Sequence, residues 1–262
     1  MRLLGVTWVI ISMKILYGFA LDAHHWGWFD ALPDAGLGLG VTLLALVGLN
    51  VGLAQRHDDD AIAAQATLIL LLVGSAAGGL YGEFGVVVMI AFGTLVLHGM
   101  ALLRGTGNLA SLGIAASYLW VGVHALSDGW VVLGLHLVPL EDEVLTFLLM
   151  AAITGMNAVM ATRFAHHDNW FSAGLHAVGV GRPGLWAVSV GLGMVGATLS
   201  VAAHRADVGY ALAQVALLLV AFSGSYLAVR KVPWPALQLW VVWLPSVFTL
   251  AIIPLAVFDV EM

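Results

Sequence analysis

The chain has 262 residues, of which 61% are apolar and only 9% are charged, with a formal net charge of −6. Because a soluble domain carries roughly 25% charged residues, this chain cannot cover a water-facing surface with polar groups, and we expect an integral protein of the cell membrane. The same composition excludes disordered, fibrous and nucleic-acid-binding proteins. The lack of cysteine in the sequence excludes disulfides, iron–sulfur clusters, thiolate metal sites and a cysteine nucleophile.

Nine apolar stretches are long enough to cross a bilayer, since a helix needs about 20 residues to span the hydrocarbon. Backbone groups in lipid must be satisfied within the segment, so each stretch is expected to be a helix. The first is interpreted as a retained span rather than a signal peptide, because no small-residue cleavage site precedes residue 22. The sequence thus predicts an all-α protein with transmembrane helices over residues 3–21, 35–54, 61–80, 85–103, 109–127, 144–162, 185–203, 208–229 and 236–257.

The distribution of Arg and Lys between the loops sets the expected orientation. With nine crossings and a cytoplasmic N-terminus, seven loop bases fall inside and only Arg205 falls outside. If residues 108–140 crossed twice instead, the bases would divide four against four. We therefore expect nine crossings, with the N-terminus inside and the C-terminus outside.

Two of the connections are longer than turns. Residues 129–140 are apolar but too short to span the membrane, which favours an interfacial or re-entrant segment. Residues 163–184 form the longest loop. Its Trp170 and Phe171 are typical of the headgroup region, so this loop is expected at the membrane surface.

Two blocks of sequence recur in the same order along the chain. Residues 24–31 (HHWGWFDA) and 166–173 (HHDNWFSA) share five of eight positions, and residues 64–70 resemble residues 213–219. We interpret this as a duplication in which a linker helix inverts the second unit, an arrangement common in secondary transporters. The predicted units are a four-helix repeat over 1–104, a linker helix with an interfacial segment over 105–143, and a second four-helix repeat over 144–262.

Ten histidines suggest a metal site. His124 and Asp128 stand four residues apart at one helix end, and His25 and His204 are expected at the same level. Imidazole and carboxylate ligands suit a divalent metal such as Zn, Fe, Mn or Cu. The alternative is that Asp128 only ends the helix and that His124 donates a hydrogen bond to a neighbour.

Histidines at matching depths would also suit haem b. His98 and His124 are on consecutive spans, but at 1.5 Å per residue their depths differ by roughly 15 Å, which one iron cannot bridge. His166, His167 and Asp168, together with His176, form an inner candidate for a metal, with amphipathic interfacial residues as the alternative. The haem pairs that remain open are His124 with His25 or His204, and His98 with His166 or His167.

Lys14 lies 11 residues past Leu3 and is the one clear charge deep in a predicted span. Charges at such depth are candidates for function. Lys14 could pair with Glu83 or Asp128, bind an anion or gate a proton. The alternative is that its long side chain simply reaches the interface.

Three functions are compatible with these features. A transporter or channel is favoured by the predicted inverted repeat, the glycine-rich spans and Lys14. A haem- or metal-dependent enzyme for a lipid-soluble substrate is suggested by the histidines. A non-catalytic subunit of a larger membrane complex, or a homo-oligomer, would use glycine faces for close packing. The favoured prediction is a multi-pass membrane protein that moves a small solute or ion, with Lys14 and Glu83 as its substrate or ion residues.

Overall fold

The computed structural model describes most of the chain between residues 35 and 229. Of the predicted spans, residues 3–21 lie largely, and residues 236–257 wholly, outside the described part. Lys14 and His25 also lie outside it, so their roles stay predictions. The described residues are 7, 11, 15, 16, 18, 19, 22, 23, 26–28, 35–57, 60–78, 81–132, 135–179, 181–204 and 208–229.

The elements in this part of the chain are eight helices and one pair of two-residue strands. The strands β1 (Val131–Val132) and β2 (Leu135–His136) pair antiparallel. The helices are α1 (Ala35–His57), α2 (Asp60–Gly78), α3 (Gly82–Arg104), α4 (Gly107–Leu126), α5 (Glu143–Arg163), α6 (Trp170–Ala177), α7 (Leu185–Ala203) and α8 (Val208–Val229).

Five helices, α3, α4, α5, α7 and α8, are long and apolar enough to cross a membrane. The prediction of an all-α protein with several helices able to span a membrane is therefore confirmed in this coarser form. Seven of the eight helices begin and end within three residues of predicted spans. The count of nine spans, the orientation and the inverted repeat stay predictions, because the first recurring block lies mostly outside the described residues.

Helix α4 is the centre of the bundle. It packs against α2, α3, α5, α6 and α7. In the most apolar stretch of α4, 67% of the residues are buried, compared with 33% in that of α8. Helix α4 is therefore enclosed by protein, while α8 is peripheral. The helix predicted as a linker between two units is therefore the one on which both sides of the bundle pack.

Glycine allows α4 and α7 to approach closely. A Cβ at Gly122 would collide with Leu199, and a Cβ at Gly196 would lie 3.0 Å from Tyr118 Cδ1. Close packing at Gly196, which the small-residue spacing in α7 predicts, is thus confirmed. By contrast, Gly48 and Gly52 of α1 have no atom within 4 Å of the Cβ position.

The segment after α4 folds back onto the end of that helix. The Leu140 amide donates to the His124 carbonyl oxygen at 3.3 Å, following the short strand pair. Asp142 then caps α5 by accepting hydrogen bonds from the Val144 and Leu145 amides at 2.8 and 3.0 Å. The predicted interfacial segment is thus a small hairpin that ends at a helix cap.

Candidate functional site

Six polar side chains meet in the interior of the bundle, on α3, α4, α5 and α7. Each is at most 3% exposed to solvent. Polar groups at this depth are costly and are candidates for function in membrane proteins. We refer to them as the central cluster, which consists of His98, Ser117, Tyr118, Thr154, Asn157 and Ser189.

One half of the central cluster is hydrogen-bonded. His98 Nε2 lies 2.7 Å from Asn157 Oδ1, and Asn157 Nδ2 donates to Ser117 Oγ at 3.0 Å. Because an amide oxygen can only accept, the His98 proton is on Nε2. The Ser117 hydroxyl in turn donates to the Ile114 carbonyl oxygen at 3.2 Å. Asn157 therefore joins α3 to α4 through α5.

The other half of the cluster is incompletely hydrogen-bonded. The Tyr118 hydroxyl lies close enough to Thr154, Asn157 and Ser189 for weak polar contacts, but none of these contacts has the geometry of a well-formed hydrogen bond. A buried polar group without a partner costs roughly 1–3 kcal/mol. Within the central cluster, four side-chain atoms make no hydrogen bond to the described part of the chain: His98 Nδ1, Tyr118 Oη, Thr154 Oγ1 and Ser189 Oγ.

Glycines place the two rings of the cluster. A Cβ at Gly113 would lie 2.7 Å from His98 Cε1 and 2.8 Å from its Nδ1, so the imidazole rests on the α4 backbone. A Cβ at Gly193 would lie 3.1 Å from the Tyr118 hydroxyl. The rings therefore occupy space that any other residue at these two positions would fill.

The central cluster offers one imidazole, one amide and four hydroxyl groups, and none of its six side chains is an acid, a lysine or an arginine. Such groups donate and accept hydrogen bonds without supplying a formal counter-charge. Chemically, the arrangement suits an uncharged solute with several hydrogen-bonding groups.

His124, predicted as a metal or haem ligand, is engaged by the protein itself. Its Nδ1 donates to the Val138 carbonyl oxygen at 2.8 Å, and its Nε2 lies 3.2 Å from Ser75 Oγ. The Trp120 indole donates to the same hydroxyl at 2.9 Å. We refer to Ser75, Trp120, His124 and Val138 as the His124 group. Both ring nitrogens are used, which agrees with the alternative of a hydrogen-bonded histidine.

Asp128 and His204, the other described members of the predicted outer site, have different surroundings. Asp128 follows the end of α4 and is exposed. His204 is buried at the end of α7, where Nδ1 donates to the Ser200 carbonyl oxygen at 2.9 Å and the ring packs against Tyr210 in a tilted arrangement, with centroids 4.7 Å apart. Within the described ranges there is no group of three or more His, Asp or Glu residues that could hold a metal.

The remaining predicted residues lie near helix ends. His166 and His167 are exposed in the connection between α5 and α6. Glu83 stands in the first turn of α3, and its Oε1 accepts a hydrogen bond from the Asp142 amide at 2.9 Å. The haem pairing of His98 with His166 or His167 stays a prediction, but the described partner of the His98 ring is Asn157.

The sequence interpretation singled out only His98 from the central cluster. The other five are isolated polar residues in apolar runs, so none stands out by itself. A usable signal was present, because His98 lies six residues before the end of α3 and Asn157 six before the end of α5. In the predicted orientation these two helix ends lie on one side of the membrane, so equal distances from them would place the two residues at one depth.

Comparison with known proteins adds no relative from which a function could be transferred. No protein-family model matches the sequence, and searches of curated proteins and of solved structures gave no significant match.

Proposed function

We propose that this protein is a cell-membrane transporter for a small, uncharged solute with several hydrogen-bonding groups, and that the central cluster is its binding site. The observation that carries the proposal is the set of four buried polar atoms in the cluster that lack a well-formed hydrogen bond within the described residues. A solute that hydrogen-bonds these atoms would recover the cost of burying them.

The position of the cluster also supports transport. It lies between four helices rather than at the end of one, and binding sites of transporters are typically near the bilayer midplane. The predicted inverted repeat would provide two related halves that open this site to either side in turn.

Uncharged solutes are favoured over ions because of the composition of the cluster. An ion in a low-dielectric interior requires an opposite charge or a full shell of ligands. The predicted ion residue Glu83 is instead bound to the Asp142 amide near the start of α3. Lys14 lies outside the described residues and stays a prediction.

The test is flux into liposomes that contain the purified protein. Urea, glycerol and erythritol serve as uncharged probes in a light-scattering assay, and a pH-sensitive dye reports protons. We expect uptake of at least one uncharged probe above that of empty liposomes. Proton flux without uptake of uncharged probes would replace the proposal with ion conduction, and no flux of either kind would contradict transport.

Two threonine variants separate function from packing. Thr154 and Thr94 are both fully buried, but Thr94 Oγ1 donates to the Ile90 carbonyl oxygen of its own helix, whereas Thr154 Oγ1 has no partner. We expect Thr154→Val, and likewise Tyr118→Phe, to lower the flux about 10-fold, the worth of one hydrogen bond to a solute. The matched variant Thr94→Val should keep the flux.

Stability provides the second readout for these variants. Removing a hydroxyl that has no partner removes a burial cost, so Tyr118→Phe and Thr154→Val should melt at the wild-type temperature or higher. Lower flux with undiminished stability is the signature of a binding residue. Wild-type flux in both variants would show that the cluster does not bind the solute.

A further inference from the structure

A polar pocket lies where the end of α5, the short helix α6 and the start of α7 meet. Its volume is about 390 Å³, which is within the range of small-molecule sites. We refer to it as the loop pocket. Its polar lining residues are His166, His167, Asp168, Asn169, Ser172 and Arg182.

The walls of the loop pocket are held in place by the fold. Asn169 caps α6 by accepting a hydrogen bond from the Ser172 amide at 2.8 Å, and Ser172 Oγ donates to the Pro183 carbonyl oxygen at 2.5 Å. A Cβ at Gly107 would lie 2.5 Å from the Asp168 carbonyl oxygen. The two loop segments are thus tied to each other and seated on the start of α4.

The loop pocket contains opposite charges that do not neutralise each other. Arg182 and Asp168 both line it and both are exposed. Within the described residues they form no ion pair with each other, whereas Arg104 does pair with Asp60. His166 and His167 add two imidazole groups on the same lining. A ligand that carries an anion and a cation a few bonds apart would satisfy Arg182 and Asp168 together.

The pocket lies next to the ends of two helices that are apolar enough to cross a membrane, α5 and α7. Trp170, the first residue of α6, is 42% exposed, and tryptophan is enriched at the level of lipid headgroups. The loop pocket is therefore within reach of the phosphate groups of the bilayer.

We propose that the loop pocket binds a phosphate ester that carries a neighbouring amine, the chemistry of phosphoethanolamine. Arg182 binds the phosphate, for which the guanidinium fork is well suited, and Asp168 binds the ammonium group. His166 and His167 supply further hydrogen bonds to phosphate oxygens. This site does not depend on the transport proposed for the central cluster.

Calorimetric titration of the detergent-purified protein tests the site. The probes are dihexanoyl phosphatidylethanolamine, dihexanoyl phosphatidylglycerol and soluble O-phosphoethanolamine. We expect the ethanolamine lipid to bind more tightly than the glycerol lipid. Comparable affinity for O-phosphoethanolamine would identify a free phosphate ester as the ligand, whereas binding of the lipid alone would identify a headgroup.

Charge variants assign the two roles. Arg182→Gln should weaken binding of both lipids about 10-fold or more, the worth of a charge-assisted bidentate pair. Asp168→Asn should weaken only the ethanolamine lipid. The matched control is Arg163→Gln, because Arg163 is exposed at the end of α5 but does not line the pocket.

Several results would overturn this proposal. They are an absence of binding for all three probes, equal affinity for the two lipids, or the same loss of affinity in Arg163→Gln as in Arg182→Gln. All three substituted residues are exposed, so melting temperatures should stay at the wild-type value. If Arg182→Gln melts at a lower temperature, Arg182→Lys would replace it. Lysine keeps the positive charge but lacks the forked guanidinium, so this variant should bind with intermediate affinity.

Discussion

His98 and His124 are buried imidazoles on neighbouring helices, α3 and α4, but their surroundings differ in one decisive respect. Both nitrogens of His124 have partners, a backbone carbonyl and a serine hydroxyl. Within the described residues, His98 has a partner at Nε2 and none at Nδ1, and three hydroxyl groups of the same cluster also lack a well-formed hydrogen bond. The two histidines therefore differ in how completely their ring nitrogens are hydrogen-bonded, although both are buried.

The comparison predicts that breaking the bonded half of the central cluster has the largest effect. Asn157→Leu leaves His98 Nε2 without its partner, at roughly 1–3 kcal/mol for a buried group, and removes the hydrogen bond that Ser117 Oγ accepts while Ser117 still donates to Ile114. We expect the free energy of unfolding to fall by about 2–4 kcal/mol and solute flux to disappear. Denaturant unfolding in detergent and the liposome assay measure the two effects.

Asn50 supplies the matched control for Asn157. It is also fully buried, but both of its amide atoms have no hydrogen-bond partner within the described residues. Asn50→Leu should therefore leave stability unchanged or raise it, since it removes only unsatisfied groups. An equal loss of stability in both variants would show that burial, rather than the network, determines the cost.

The second prediction concerns the His124 group. His124→Leu removes two hydrogen bonds, so we expect a loss of about 1–3 kcal/mol in the free energy of unfolding, with unchanged flux per folded molecule. Asp128→Asn, at an exposed position, should change neither. If metal analysis instead found near-stoichiometric Zn, Fe, Mn or Cu that both variants lose, the predicted outer metal site would replace this interpretation.

The smallest effect is expected where the backbone supports His98. Gly113→Ala places a Cβ within 2.8 Å of the imidazole, so the ring must shift from its position beside Asn157. Mild overpacking of this kind costs about 1 kcal/mol. Flux should fall while the protein stays folded. Gly99→Ala, next to His98 in sequence but with no atom within 4 Å of its Cβ position, should leave flux unchanged.

The helices were predictable because a single physical constraint determines them. Hydrocarbon thickness sets the length of an apolar stretch, and the need to satisfy the backbone makes each stretch helical. The predicted stretch 185–203 and helix α7 (Leu185–Ala203) share both ends. Charged and polar residues at the interface mark where such stretches stop, as Arg104 and Arg163 do.

The site was only partly predictable because its contacts are set by packing between helices. The His98 and Asn157 side chains are 59 residues apart in sequence, and no local pattern relates them. The partner of His124 Nδ1 is a backbone carbonyl, which side-chain identity cannot reveal. Predictions from composition therefore emphasised the number of histidines, although their partners decide their roles.

Synthesis proceeds from the N-terminus, so α1, α2 and α3 are made before the helix around which they close. Before α4 is inserted, His98 lacks its packing contact with Gly113 and the neighbouring Ser117. Helix α7, which also packs on α4, is synthesised later still. A chain that ends at residue 104 lacks this centre, while one that ends at residue 142 contains it. The point at which the nascent protein becomes resistant to membrane proteases should therefore lie after residue 126, near the middle of synthesis.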